Sequence, residues 1–254
     1  MARTSYFDGP LPRRFAHRGL SLHHPGIDEN SIAAMSAAID AGATHVESDT
    51  HASRDGVAVL FHDDDLSRVA GIPSKISALS LADIKSLRLN YGSDIPTLSE
   101  VLERFPELYL NLDIKSEQAI EPTVSAIEQH GAHDRVLVSS FSDARRKKAL
   151  SMLTKPVATS ASMRTVISAW VSHRLLFGFG FSRIVSEIDA FQIPTSQGPI
   201  NFATKGFIKR AKSSNTEVHF WTINEPELMK SLIALGADGI VTDRVDLLTK
   251  LNES

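Results

Sequence analysis

The sequence predicts a TIM (β/α)8 barrel with a small insertion subdomain after the second strand region, and three observations point to it. Eight short β-rich runs alternate with segments of helical periodicity over 254 residues, the usual size of such a barrel. Charged residues gather where these runs end, and barrel enzymes keep their chemistry at the C-terminal ends of strands. The first strand–helix turn, HRGLSLHHPG, lacks a glycine fingerprint for a dinucleotide, which places a doubly wound sheet second.

The strand candidates, in order, are residues 13–19 (RRFAHRG), 44–50 (THVESDT), 108–115 (LYLNLDIK), 135–141 (RVLVSSF), 155–161 (KPVATSA), 188–194 (IDAFQIP), 217–224 (EVHFWTIN) and 238–243 (DGIVTD). A further run, 56–62 (GVAVLFH), follows the turn-like SRDG and reads as a hairpin partner of the second strand. Between the strands, Asn30 or Ser31 caps a helix bearing Ile32, Met35 and Ile39, with Gly42 past its end. Thr97 and Glu100 form a capping-box pattern ahead of Val101, Leu102 and Phe105. Asn224 and Glu227 repeat that pattern, with Pro226 in the first turn and Gly236 beyond the last. A helix near 119–130 stops at Gly131. Residues 63–96 are too long for a simple loop and read as an insertion with its own helix, LSLADIKSLRL, lying over the barrel mouth. With no repeat or linker to divide the chain, residues 1–254 are expected to form one domain.

Composition narrows the chemistry. There are no cysteines, so disulfides and thiolate metal sites are excluded, and carboxylates and histidines are the strong metal ligands that remain. A net charge of −3 gives no global reason to expect nucleic acid or an anionic membrane as partner, so positive charge for an anionic substrate has to be local. The N-terminal MARTSYFDGPLPRRFAHRG has no apolar core for a signal peptide. Apolar-leaning stretches such as VISAWVSHRLLFGFGF are short and interrupted by His and Arg, so no stable membrane insertion is expected and a cytoplasmic location is the default.

In HVESDTHASRDGVAVLFHDDDLSRV, Glu47 and Asp49 lie two apart on a strand and share a face, about 6.6 Å apart along it. Side by side they repel, unless a cation sits between them or an arginine pairs with them. Asn111, Asp113 and Lys115 share one face of LNLDIK in the same way, where a barrel interior is ordinarily apolar; they serve a site or form an ion pair at the mouth. His17, Arg18 and Gly19 end the first strand, and His62 ends the extra run. Arginine binds phosphate in bidentate fashion, and two histidines beside carboxylates suit an acid and a base near neutral pH. Six other histidines, His23, His24, His51, His130, His133 and His173, earn no role from their context. Trp221 ends the seventh strand, as pocket wall or as core.

Taken together, FAHRG, DENS, the Glu47–Asp49 and His62 segment, IPTLSEVL, LNLDIK, VSSFS, FWTINE and DGIVTDR resemble the glycerophosphodiester phosphodiesterase family, in order and spacing, from about residue 14 to 248. The resemblance implies a TIM barrel with an insertion at residues 63–96, a small-molecule glycerophosphodiester substrate, hydrolysis to sn-glycerol 3-phosphate and an alcohol, and dependence on one divalent cation, Mg²⁺ or Ca²⁺. Its catalytic histidines fall on His17 and His62, its phosphate-binding arginine on Arg18, and its metal carboxylates on Glu47, Asp49 and Asp113, with Lys115 and Trp221 on the substrate. The third metal position is commonly Glu in the family's E-x-K pattern; here it is the shorter Asp113, with the lysine kept. Glu29 of DENS is brought to the site as well. Two alternatives stand beside this reading: a lipid-directed phosphodiesterase of lysophospholipase D or phosphoinositide-cleaving type, with LLFGFGFSRIV (175–185) as the acyl-chain patch, and a barrel that binds without catalysis.

Overall fold

The computed structural model describes residues 4–22 and 26–251. His23 and His24, to which the sequence assigned no role, lie outside the described residues, as do the first three residues of the N-terminal segment.

Eight parallel strands form the barrel: β1 Arg13–His17, β2 His45–Ala52, β3 Tyr109–Ile114, β4 Val136–Ser139, β5 Ala158–Thr159, β6 Ala190–Ile193, β7 Glu217–Phe220 and β8 Gly239–Thr242. Each pairs with its neighbour in sequence, and β8 pairs with β1. A parallel bridge between Ser160 and Ala190 completes the ring between β5 and β6. A helix follows each strand: α1 Ile32–Asp40, α2 Leu98–Arg104, α3 Ile120–Gln129, α4 Asp143–Met152, α5 Met163–Leu175, α6 Lys205–Ser213, α7 Pro226–Leu235 and α8 Val245–Leu251. Their apolar faces pack on the outside of the strands in two large clusters, one built around Val46, Leu110 and Leu112, the other around Phe191, Phe207 and Phe220. Among the described residues no helix is long and apolar enough to cross a membrane.

All eight strand candidates are present; seven are shorter than their β-rich runs, because the flanking residues turn into loops, and β2 extends two residues beyond its run, to Ala52. The extra run is Ala58–Leu60, antiparallel to the end of β2. Ser31 caps α1, its side chain accepting from the Ala34 N–H, and Thr97 with Glu100 closes a full capping box on α2. The expected capping role of Asn224 is wrong. Glu225 occupies the cap position of α7 without a side-chain cap, and Asn224 turns instead toward Asp243.

Residues 63–96 hold a small hairpin, Asp65–Leu66 with Ile72–Lys75, a helical turn Ser67–Ala70 inside it, and a short helix Leu81–Ser86 started by its own Ser80–Asp83 capping box. A separate small core of Val59, Phe61, Leu66, Val69, Ile76 and Ile84 lies beneath them. The carboxylate of Asp28, from the β1–α1 loop, accepts the Tyr91 and Ser93 N–H groups and ties this unit to the barrel mouth.

The barrel floor is polar in a way the sequence did not announce. Arg13 is 2% exposed and grips Glu217, two strands away with β8 between them, through two hydrogen bonds of 2.7 and 2.8 Å. His219 lies 2.9 Å from the same carboxylate. Tyr6, Phe15 and Tyr109 pack around His45, which burial and the Arg13 charge push down to about 3, leaving it neutral.

Candidate active site

Strand register sets the site. Parallel pairing places His17 beside Glu47, Glu47 beside Asn111, Asp49 beside Asp113, and Asp113 beside Ser139. In-register neighbours of a pleated sheet point to the same face, so two successive levels of the barrel gather these side chains from four strands. All eight residues singled out from the sequence, His17, Arg18, Glu47, Asp49, His62, Asp113, Lys115 and Trp221, line a single cavity of about 250 Å³ at the C-terminal ends of the strands.

The β1–α1 turn is built to present Arg18. Its backbone adopts φ 57, left-handed and uncommon for a non-glycine residue. The next residue has to be glycine: a Cβ on Gly19 would stand 2.7 Å from that of Ala34. The Arg18 N–H donates to the Glu47 carbonyl (2.8 Å), and one guanidinium nitrogen reaches Glu29 (3.2 Å). Its Nε is buried without a partner, 4.0 Å from Asp49.

Each histidine is held by its own carboxylate. His17 Nδ1 lies 2.7 Å from Asp243 Oδ1, and its Nε2 lies 3.8 Å from Glu47 Oε2. An ionised carboxylate can only accept, so Nδ1 carries the proton and Nε2 is left for chemistry. Burial works against protonating His17, but the hydrogen bond to Asp243 and the Glu47 charge raise its pKa above the ordinary histidine value. Asp243 is itself fixed by Asn224, whose amide donates to Oδ2 (2.8 Å) and whose carbonyl accepts the Asp243 N–H (2.9 Å). Burial opposes its charge, yet the bonds from His17 and Asn224 hold its carboxyl below the usual range.

His62 Nδ1 lies 2.6 Å from Asp63, whose other oxygen accepts from Arg68 Nε (2.6 Å). The remaining Arg68 nitrogens bridge both oxygens of Glu29 (3.0 and 2.6 Å), the carboxylate that also meets Arg18. A continuous charged chain therefore runs from His62 through Asp63, Arg68 and Glu29 to Arg18. Burial opposes the charges of Asp63 and Glu29, and Arg68 outweighs it and lowers both. Arg68 belongs to the insertion, so the insertion and the barrel share the wiring of the site.

The acids are crowded. Lys115 Nζ stands 2.6 Å from Asp49 and 2.8 Å from Asp113. Burial disfavours its charge, but the two carboxylates raise its pKa. Glu47 lacks such a cation and is pushed up to about 7, by burial first and by the neighbouring Asp49 charge second. Burial and the Asp49 charge raise Asp113 too. Glu47 Oε2, Asp49 Oδ2 and Asn111 Oδ1 are buried without a hydrogen-bond partner. Among the described residues no three His, Asp or Glu side chains converge as a ready-made metal cage, for Lys115 occupies the space between Asp49 and Asp113.

The opposite wall is apolar. Phe141, Met163, Val166, Ile193, Phe202 and Trp221 line it, and the Phe141 and Trp221 rings meet edge to face at 6.5 Å. LLFGFGFSRIV, the sequence candidate for an acyl-chain patch at the mouth, is not part of this wall. It follows the far end of α5, a 13-residue helix whose first turn lines the cavity, and so lies about 20 Å away at the other end of the barrel.

Sequence reasoning passed over Asp243, Asn224, Asp63 and Arg68 as site residues. Asp243 carried a signal, because it sits at the C-terminal end of the last strand, the same position that singled out His17 and Glu47.

A model described as the glycerophosphoryl diester phosphodiesterase family matches residues 17–247. The chain is 39% identical over 234 residues to "Probable glycerophosphodiester phosphodiesterase 2" of Mycobacterium tuberculosis, covering 92% of this chain and 88% of that one. It is also similar to the solved structure of a phosphodiesterase of Oleispira antarctica in complex with the product sn-glycerol-3-phosphate. That match has a TM-score of 0.78 and 28% identity, over 96% of this chain and 97% of the other. A glycerophosphodiester phosphodiesterase of Agrobacterium tumefaciens shares the fold at a TM-score of 0.75 and 19% identity, over 94% of this chain and 98% of its own.

Proposed function

We propose a reaction from one premise: this chain belongs to the glycerophosphoryl diester phosphodiesterase family and is a glycerophosphodiester phosphodiesterase. The reaction is metal-dependent hydrolysis to sn-glycerol 3-phosphate and an alcohol, carried out between His17 and His62. One observation supports it above the others: two imidazoles, each tethered through Nδ1 to its own carboxylate, open onto the same cavity as an unpartnered buried arginine nitrogen.

Arg18 binds the phosphate oxygens, its Nε gaining the acceptor it lacks. One imidazole takes the proton of the nucleophile at Nε2, the nucleophile being water or the substrate's own neighbouring hydroxyl. As the new P–O bond forms, the other imidazole donates its Nε2 proton to the leaving oxygen, whose bond to phosphorus breaks. Attack by water gives glycerol 3-phosphate directly; attack by the hydroxyl first gives a cyclic phosphodiester, which water then opens to glycerol 3-phosphate with the two imidazoles exchanging roles. Lys115 adds positive charge beside the phosphate as negative charge builds on its oxygens.

The residues fit a divalent cation, on the evidence of Glu47 Oε2 and Asp49 Oδ2, buried carboxylate oxygens that no hydrogen bond satisfies. Glu47, Asp49 and Asp113 would hold it, an all-oxygen set that suits Mg²⁺ or Ca²⁺. When bound, the ion supplies positive charge against the phosphorane-like transition state. The unit at 63–96 serves as a subdomain of one barrel domain, with Arg68 as its contribution to the site.

Release of glycerol 3-phosphate from glycerophosphocholine tests the assignment. His17→Ala and His62→Ala each lower kcat by about 100-fold or more, and EDTA abolishes turnover until Mg²⁺ or Ca²⁺ is restored. Full activity in both variants would overturn the roles of the histidines; full activity in EDTA would overturn the metal alone. The apolar wall favours a second reading, in which the leaving alcohol carries an acyl chain. Faster turnover of lysophosphatidylcholine than of glycerophosphocholine would select it.

A further inference from the structure

The turn after α5 places its largest apolar side chains in water. Phe177 is 91% exposed and Phe179 84%, and Leu175 and Leu176 beside them are more than half exposed. This is not a slack loop. Gly178 N donates to Ser172 O (2.7 Å), Phe179 N to Leu176 O (2.8 Å), and Ser172 Oγ to Phe179 O (2.8 Å). Arg210 of α6 donates to Phe177 O (2.7 Å) and lies where a Cβ on Gly178 would be. Phe181, two residues on, is 2% exposed and anchors the turn in the core. Phe177 itself takes φ 52, a strained conformation for a bulky side chain, and the surrounding hydrogen bonds hold it there.

The charge around this tip is one-sided, although the chain as a whole is acidic. No Asp or Glu occurs between residues 144 and 186, nor between 190 and 216. Arg174 and Arg183 flank the turn and are exposed, and Lys209 and Arg210 stand on the adjoining face of α6. The two acids between those stretches are occupied elsewhere: Glu187 pairs with Lys147 and Asp189 accepts the Thr159 N–H.

We propose that this tip is a peripheral docking wedge for an anionic lipid surface. A pinned, convex turn carrying two phenylalanines and two leucines, ringed by arginines, matches the acyl boundary of a bilayer below and its negative headgroups around it. A second copy fits less well, because a two-fold contact would bring the same cations face to face. An apolar core for a groove on another protein would not call for the basic ring. The wedge lies at the opposite end of α5 from the cavity, so docking leaves the mouth open to the aqueous side, where water-soluble glycerophosphodiesters are. The wedge is independent of the chemistry proposed for the site.

Flotation of the full chain with vesicles tests this, using mixed phosphatidylglycerol–phosphatidylcholine vesicles and phosphatidylcholine alone. The protein is expected to float with the anionic vesicles at low salt and to be released at high salt. Phe177→Ser with Phe179→Ser lowers the partition coefficient about 100-fold, roughly tenfold for each aromatic withdrawn from the boundary. Arg174→Gln with Arg183→Gln lowers it about 25-fold on anionic vesicles only. Hydrolysis of glycerophosphocholine in solution stays unchanged in both double variants. Failure of the unsubstituted protein to float with either vesicle would overturn the proposal, as would equal flotation of the Phe177→Ser, Phe179→Ser protein. A dimer in analytical sedimentation that the same two substitutions dissolve would assign the tip to a second copy instead.

Discussion

Replacing Asp243 by asparagine keeps the shape of the side chain and removes the negative charge 2.7 Å from His17 Nδ1. In the reaction proposed above, whichever direction His17 moves a proton, it passes through the imidazolium, and the carboxylate is its counter-ion. Asp243 is well shielded, with its side chain 14% exposed, so solvent replaces little of what is lost. A hydrogen bond to a charged group is worth about 1.5–3 kcal/mol, which converts to a fall in kcat of about 10- to 150-fold. Asparagine can also donate to Nδ1 and drive the proton to Nε2, the wrong tautomer for a base, which deepens the loss. The assay is steady-state release of glycerol 3-phosphate at saturating substrate, with KM expected to change little because Asp243 stands behind the histidine rather than against the cavity. A kcat within about threefold of the unsubstituted protein would refute the argument, since the bond would then contribute less than about 0.7 kcal/mol.

Three further outcomes follow from the geometry. Arg68→Gln breaks the chain from His62 to Arg18 and lowers kcat/KM about three- to tenfold, more than an isolated surface ion pair would; unchanged kinetics would show that the insertion does not position either residue. Arg13→Met leaves Glu217 charged and buried, a cost of about 3–5 kcal/mol, or a fall in Tm of about 6–20 °C for a chain of this size, and Arg13→Met with Glu217→Gln recovers most of it. Glu128 accepts from Thr154 N, Thr154 Oγ1 and His133, and these bonds, the backbone one foremost, hold its carboxyl down to about 2 from an ordinary 4.5. Its folded pKa lies below its unfolded one, so its stabilisation is full above about 4.5 and is lost as pH falls toward 2. Melting curves of Glu128→Gln are therefore expected to fall less steeply than those of the unsubstituted protein across that window.

Much of the site was legible in the amino-acid order alone. Period-two spacing put Glu47 with Asp49 and Asp113 with Lys115 on common faces, and strand ends identified His17, Arg18, His62 and Trp221; the same cavity receives them all. Asp243 and Asn224 were missed because their partners are hundreds of residues or a whole βα unit away, and no local pattern records a hydrogen bond of that span. Asn224 was misread for a related reason. An Asn three residues before a Glu matches a capping box locally, and only the proximity of β8 shows that Asp243 competes for its amide.

By itself the sequence determined the eight alternating units, the hairpin after β2, the caps of α1 and α2 and the polar faces of β2 and β3, because each depends on contacts within a few residues of chain. Only the tertiary structure decided that Lys115 stands between Asp49 and Asp113, that Arg68 joins both sides of the site, and that LLFGFGF lies at the end of the barrel away from the mouth. These are facts of ring closure and register: periodicity assigns a side chain to a face, and the neighbours it meets there come from strands the chain reaches later.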